Sequence, residues 1–400
     1  MIPFRRRFHD ANMLLMSYEG YQISPAPGGS GEFEEYLLGK PVKFDIEIVN
    51  ESLDGEHARA AEIAGEGNYA GILDTLRREG LLAEELNRVE REYALEAIPF
   101  LDEKDREMFT VLDLYDPSTA RHCLETYLIA REKMEKEILH GVSLERLIAD
   151  QEGVTLDQFY RACLLHDIGK VEVPRAVICN TFDDGLMLEC LHHVYHRLYN
   201  EGKIPAWLGL NEGSTEDEID RAFKKQHSLR CVQLVPAREV LSPIELAEIM
   251  ERGYTGDETI MDMIKPHETR SGEILARAGY PTESQLSALH HNYENKILER
   301  PLSVSLLHIA DVTQALRSGD RPYKTAFSMP KMMRIIAEHA REGKISPVVA
   351  YLWLTDDLRK YDAEPHDTLD QKKAEQDSEH LAIARSFVVQ VGEGIKENLT

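Results

Sequence analysis

The run ACLLHDIGK closes an apolar helical stretch on an adjacent histidine and aspartate, His166 and Asp167, and no other feature narrows the fold of this chain as much. An imidazole and a carboxylate presented together at a helix end have two readings. They are a helix C-terminus where the histidine meets the dipole, or nitrogen and oxygen donors for a metal of the Mn, Fe, Zn or Ni kind. Taken alone, the dipeptide favours the first reading, but it does not stand alone. His122 lies in YDPSTARHCLETY, His267 in IKPHETRSGEIL, His290 and His291 in ALHHNY, and Asp311 in LLHIADVTQAL. Each sits on or beside a stretch whose apolar residues recur three and four apart, the spacing of an amphipathic helix. Helices packed around one core aim such residues at a shared centre. Burying them with no ion to satisfy them would cost about 1–3 kcal/mol each. The pattern therefore points to a mainly α bundle with a metal centre among its helices.

The same periodicity organises the rest of the chain. It runs helically from about His57 to Leu112, with turns at Asn68 and Gly80, then from Thr119 to Leu139. Another helix opens at Thr155, with Asp157 and Gln158 in its first turn, and ends near Gly169. Helices are also expected over Thr269 to Ala278, Thr282 to His291 and Leu302 to Leu316. Ahead of these, PAPGGSGE is a flexible break, and PVKFDIEIVN (41–50) alternates like a strand. The expected organisation is an N-terminal accessory region over 1–108, with room for a short strand pair, and a helical domain over 109–360. A charged tail over 361–400 ends in a docked amphipathic helix, HLAIARSFVVQVGEGI. Within the domain, 179–262 reads as an insertion and a lid. It holds His192, His193 and His196; the first and last are a helical turn apart, but no acidic partner completes a metal motif, so they read as surface residues.

Charge removes some partners. Lys and Arg total 46 against 71 Asp and Glu, a formal charge of −25. That argues against non-specific binding to duplex nucleic acid or anionic membranes. It leaves room for a small anionic substrate in a cleft whose field is reversed by metal. The cysteines, Cys123, Cys163, Cys179, Cys190 and Cys231, form no CxxC pair, and their odd number suits a reducing cytoplasm rather than a disulfide framework. The apolar run Met13 to Met16 is too short for a signal-peptide core or a membrane span.

Residues 113–178 and 263–356 resemble the HD-GYP family, a branch of the HD phosphohydrolases that hydrolyse cyclic di-GMP. The resemblance rests on Asp116, Pro117, Thr119 and His122; on His166, Asp167, Ile168, Gly169, Lys170 and Pro174; and on His267 followed by Glu273, Ile274 and Leu275. It continues through the pair His290 and His291, and through Ala310, Asp311, Ala315 and Leu316 to Arg321, Pro322, Tyr323 and Lys324. The order is that of the family. There are departures. His291 is followed by NYENKILERPLS, without the family's GYP loop, and the triplet Gly279-Tyr280-Pro281 precedes the histidines and reads as a turn between helices. Gln314 stands where the family has a second Asp, and one extra residue falls between Leu316 and Arg321. Ser118 stands where some members carry a carboxylate for a third metal.

The resemblance implies two divalent ions, Fe or Mn first, with Zn and Ni as alternatives, held by His122, His166, Asp167, His267, His290, His291 and Asp311. Asp167 would bridge them, with His122, His166 and Asp311 on one side and His267, His290 and His291 on the other. An activated water would attack phosphorus in line. Lys170 would neutralise charge developing on the phosphoryl group, and Arg321 and Lys324 would hold the other phosphate. The implied substrate is a cyclic dinucleotide, cyclic di-GMP first. Because the missing loop shapes the family's nucleotide pocket, a nucleotidase for another phosphoester and a non-catalytic signalling module stand as alternatives. A homodimer is left open.

Overall fold

A computed structural model describes residues 55–134, 137–139, 142–178, 213–215, 217–218, 236–241, 243–291, 301–317, 327–363 and 371–397. The strand expected at 41–50, the histidines at 192, 193 and 196, and Arg321 and Lys324 lie outside the described residues.

Among the described residues the chain is mainly helical, as the periodicity predicts. It opens with α1 (Gly55–Glu66), α2 (Tyr69–Glu79) and α3 (Leu82–Glu92). The Asn68 side chain accepts from the Gly71 N–H to cap α2, which ends at Gly80. α4 (Glu103–Tyr115) starts in a capping box between Asp102 and Asp105, and Met108, Phe109, Val111, Leu112 and Tyr115 are all buried in it. This helix spans the boundary expected at 108. Side chains on both sides of that position enter one hydrophobic core, so residues 55–108 share the interior of the helical domain.

α5 (Pro117–Met134) begins where the Asp116 carboxylate accepts from the Ser118 N–H at 3.1 Å and the Thr119 hydroxyl at 2.6 Å. The helix expected to reach Leu139 stops at Met134, and β1 (Glu137–Leu139) pairs antiparallel with β2 (Val142–Ser143). The apolar residues Ile138, Leu139 and Val142 fit one more helical turn by spacing, but Gly141 breaks that turn in the sequence. α6 (Leu144–Glu152) leads to α7 (Leu156–Leu165), which opens in the capping box of Thr155 and Gln158. A 3₁₀ turn (Ile168–Glu172) and the short α8 (Arg175–Ile178) come next, so the α-helix ends at Leu165 rather than near Gly169.

Within the span expected as an insertion lie α9 (Ala237–Val240) and α10 (Pro243–Glu251), α11 (Ile260–Ile264) crosses its end, and α12 (His267–Arg277), α13 (Pro281–Leu289) and α14 (Leu302–Arg317) follow. The last group is α15 (Met329–Arg341), α16 (Pro347–Ala363) and α17 (Gln371–Glu397). Gly279, at φ 88, and Tyr280 turn the chain from α12 into α13, with Pro281 at the first helical position.

α5 packs on α14 and α7, α12 lies along α13, and the 3₁₀ turn rests on α12. Arg161 of α7 fastens this arrangement, bonding Asp105 at 2.9 Å, Glu283 at 2.9 Å and the Phe100 carbonyl at 3.0 Å. Lys133 does the same between α5 and α16. Its buried ammonium reaches Asp356 at 2.5 Å and Asp357 at 2.6 Å and lies over the Trp353 ring. α17 docks through Ala384 and Phe387 against α15 and α16. No described helix is long and apolar enough to cross a membrane.

Candidate metal centre

The apolar face of α7, with Phe159, Ala162, Cys163 and Leu164 fully buried, carries the chain to His166 at its C-cap. There the backbone tightens from α to 3₁₀. Gly169 is the reason the tightened turn can sit where it does. A Cβ at this position would meet the His267 carbonyl at 2.1 Å and the Ser271 nitrogen at 2.4 Å. Without one, the Gly169 N–H donates to Ser271 Oγ at 2.8 Å, and the His-Asp turn lies directly on the start of α12. His267, the first residue of α12, thereby meets Asp167.

The histidines and aspartates singled out by the sequence converge. Asp167 Oδ1 faces His267 Nε2 at 3.1 Å and His290 Nε2 at 3.9 Å. Its Oδ2 faces His166 Nε2 at 3.6 Å, His122 Nε2 at 3.7 Å and Lys170 Nζ at 2.6 Å. The two oxygens thus point to the two sides that the resemblance separates. Asp311 is also two-sided: Oδ1 faces His122 Nε2 at 2.9 Å and Oδ2 faces His291 Nε2 at 3.3 Å. The expected grouping places Asp311 with His122 and His166 alone. Its place on α14, reached by α5 on one flank and by His291 on the other, gives it both.

The rings are aimed by their other nitrogen. Nδ1–H of His166 donates to the Cys163 carbonyl at 2.9 Å, that of His267 to Ile264 at 2.8 Å, and that of His290 to Ser287 at 2.5 Å. In each case the acceptor is the carbonyl three residues earlier, so one local bond fixes ring plane and tautomer and turns Nε2 inward. His122 is aimed by a side chain instead: its Nδ1–H donates to Gln314 Oε1.

What lies inward is unsatisfied. His166 Nε2, His267 Nε2, His290 Nε2 and Asp167 Oδ1 are buried with no hydrogen-bond partner. Burial pushes the His166 and His290 pKa values down, His290 well below the ordinary histidine value, and pushes His291 down to about 4. These rings are therefore neutral and offer lone pairs. Burial works to raise Asp167, but the Lys170 ammonium and the imidazole of His166 outweigh it and hold the carboxyl well below its usual range. Asp311 is likewise held low, against burial, by His291 and His122. Apart from the Lys170 ammonium on Asp167 Oδ2, these lone pairs and carboxylate oxygens face one another and repel, and a cation relieves this directly. The residues fit metal ions: His122, His166 and Asp167 form one group whose donor atoms lie within 4.8 Å of one another, and His267, His290 and His291 form another. His166 with His290 and Asp311, and His291 with His308 and Asp311, are two more such groups.

Sequence reasoning missed three residues here. Gln314 enters it only as a departure from the family pattern. His308 stands one turn before Asp311 in the run LLHIADVTQAL, a visible spacing that could have found it. His339 lies on α15, next to His308, and nothing local in the sequence marks it. No family model matches the chain, and neither does any curated protein or solved structure.

Proposed function

We propose that this chain is a metal-dependent phosphohydrolase acting on a phosphodiester of the cyclic dinucleotide class, with cyclic di-GMP as the first substrate to try. The observation that carries the reading is the set of inward-facing, partnerless donors on His166, His267, His290 and Asp167, divided by the two oxygens of Asp167 into two groups. That division suits a pair of divalent ions, and imidazole with carboxylate suits Fe or Mn, with Zn or Ni as alternatives. Such a pair, when bound, supplies a nucleophilic water at neutral pH and clamps phosphoryl oxygens.

The chain's own residues do the remainder. Asp167 stays ionised and spans both groups. Lys170, 2.6 Å from Asp167 Oδ2, fixes that carboxylate and leaves a positive charge at the edge where negative charge develops on phosphorus. The buried apolar walls of α7 and α14 keep the effective dielectric low, which strengthens each of these interactions. Arg321 and Lys324 remain the proposed holders of the second phosphate. The sequence after His291 lacks a Gly-Tyr-Pro loop, which favours testing other phosphoesters beside the cyclic dinucleotide.

The test is anaerobic purification, loading with Mn(II) or Fe(II), and chromatography of cyclic di-GMP, its linear dinucleotide, cyclic di-AMP and a nucleotide panel. Hydrolysis that disappears in Asp167→Ala is expected. A sample holding about two ions per chain that hydrolyses none of them would overturn the reading in favour of a binding module.

A further inference from the structure

His308 is fully buried on α14, one helical turn before Asp311. Its ring centroid lies 5.8 Å from that of His291, with the planes nearly perpendicular. A nitrogen of His308, a nitrogen of His291 and a carboxylate oxygen of Asp311 lie within 4.8 Å of one another. On its other side His308 stacks on His339, with centroids 5.6 Å apart and 22° between planes, and Nε2 stands 3.4 Å from His339 Nδ1. A histidine kept only for packing would face apolar side chains; this one faces imidazoles on two sides and a carboxylate.

The oxygens of Asp311 divide its neighbours. Oδ1 belongs to His122, and Oδ2 stands 3.3 Å from His291 Nε2. Two donors on one tetrahedral ion, each about 2.0–2.1 Å from it, lie about 3.3–3.4 Å apart. The separation of His291 and Asp311 Oδ2 matches that spacing.

We propose that His291, His308 and Asp311 form a third cation subsite, for a divalent ion of the Zn or Mn kind, beside the pair of the proposed function on which this inference rests; the single inward nitrogen of His291 then serves this subsite, and His267, His290 and Asp167 Oδ1 are left to the second ion of the pair. Asp311 then bridges the first and third subsites through its separate oxygens. His339 fixes the plane of the His308 ring by stacking. The resemblance gives His308 no role, and the subsite lies on the opposite oxygen of Asp311 from His122, whose helix carries Ser118. Three protein donors leave a tetrahedral ion one open position, which takes water or a phosphate oxygen.

The test uses the full-length chain, stripped with a chelator, dialysed against excess Mn(II) or Zn(II), and assayed for bound metal by plasma mass spectrometry. Wild type is compared with His308→Phe, which keeps a flat ring against His339 but removes both nitrogens, and with His308→Leu; circular dichroism identifies which variants fold. Three ions per chain in wild type and two in a folded His308 variant are expected. A wild-type count of two, or equal counts in wild type and variants, overturns the third subsite and leaves the pair standing. A wild-type count near zero overturns both.

Discussion

His122 donates from Nδ1 to the side-chain carbonyl of Gln314, whose amide nitrogen donates in turn to Glu125 at 2.5 Å. The family that the sequence resembles carries an aspartate at position 314. A neutral amide does the same orienting work here, because the carbonyl oxygen accepts the Nδ1 proton and leaves His122 Nε2 to face Asp311. Gln314→Leu is expected to weaken metal binding by about 10–100-fold, the usual cost of losing such an outer partner. Gln314→Glu keeps the acceptor but sets a second carboxylate against Glu125, so it is expected to recover only part of the loss. Competition with a chromophoric chelator reads both, and an unchanged affinity in Gln314→Leu would count against this role.

Gly169→Ala places a methyl group against the backbone of α12, and neither the His267 carbonyl nor the Ser271 nitrogen can rotate away. The turn must move instead. We expect at least about 1–3 kcal/mol of lost stability in urea denaturation, the ordinary cost of overpacking, together with a lower metal content, because His267 and Asp167 no longer meet.

Under the proposed function, chelation is expected to lower the thermal midpoint and restored metal to raise it, since ions at this centre would bind only the folded chain. At free ion about a hundred times the dissociation constant, one site contributes about 2.7 kcal/mol. In Asp167→Ala the shift is expected to shrink sharply in a thermal scan with and without chelator. An undiminished shift would place the metal elsewhere.

Arg88 gives a pH-dependent prediction away from the centre. It bonds Glu85 at 2.7 Å, Glu92 at 2.8 Å and Asp113 at 2.6 Å, and His57 reaches Glu85 at 2.9 Å. Burial works to raise Glu85, but His57 and Arg88 outweigh it and hold its pKa below the ordinary 4.5. The ionised carboxylate therefore contributes stability above pH 4.5, and that contribution is lost as pH falls through the lowered value. Arg88→Ala lets burial win, so acid unfolding is expected to begin at higher pH. At neutral pH the loss is expected to be about 2–3 kcal/mol, from carboxylates left without their partner. Acid titration followed by circular dichroism reads the shift.

What the sequence made legible was local. Thr155 with Gln158 announces α7 because a capping box spans only three residues, and the apolar spacing of LLHIADVTQAL announces α14 because one face must be buried. The histidines and aspartates were legible for the same reason, each standing out against an apolar helix. The features that escaped depend on distant partners. The α-to-3₁₀ change after His166 is set by the approach of Gly169 to α12. The use of both Asp311 oxygens depends on His122 and His291 arriving from opposite flanks. Charge and periodicity do not change at 108, and among the described residues the core runs straight through α4. β1 and β2 were lost to a pattern that fits either period over so few residues.

The donors of this centre come from α5, the end of α7, α12, the end of α13 and α14, and the contact between His122 and Gln314 already joins residues 192 apart in sequence. An ion held there closes long stretches of chain into loops, the service that a disulfide performs in other proteins. Cys123 and Cys163, next to this knot, are buried and free, so no covalent tie shares the task among them. Such a tether would be reversible, its tightness set by the supply of free metal rather than by the redox state of the surroundings.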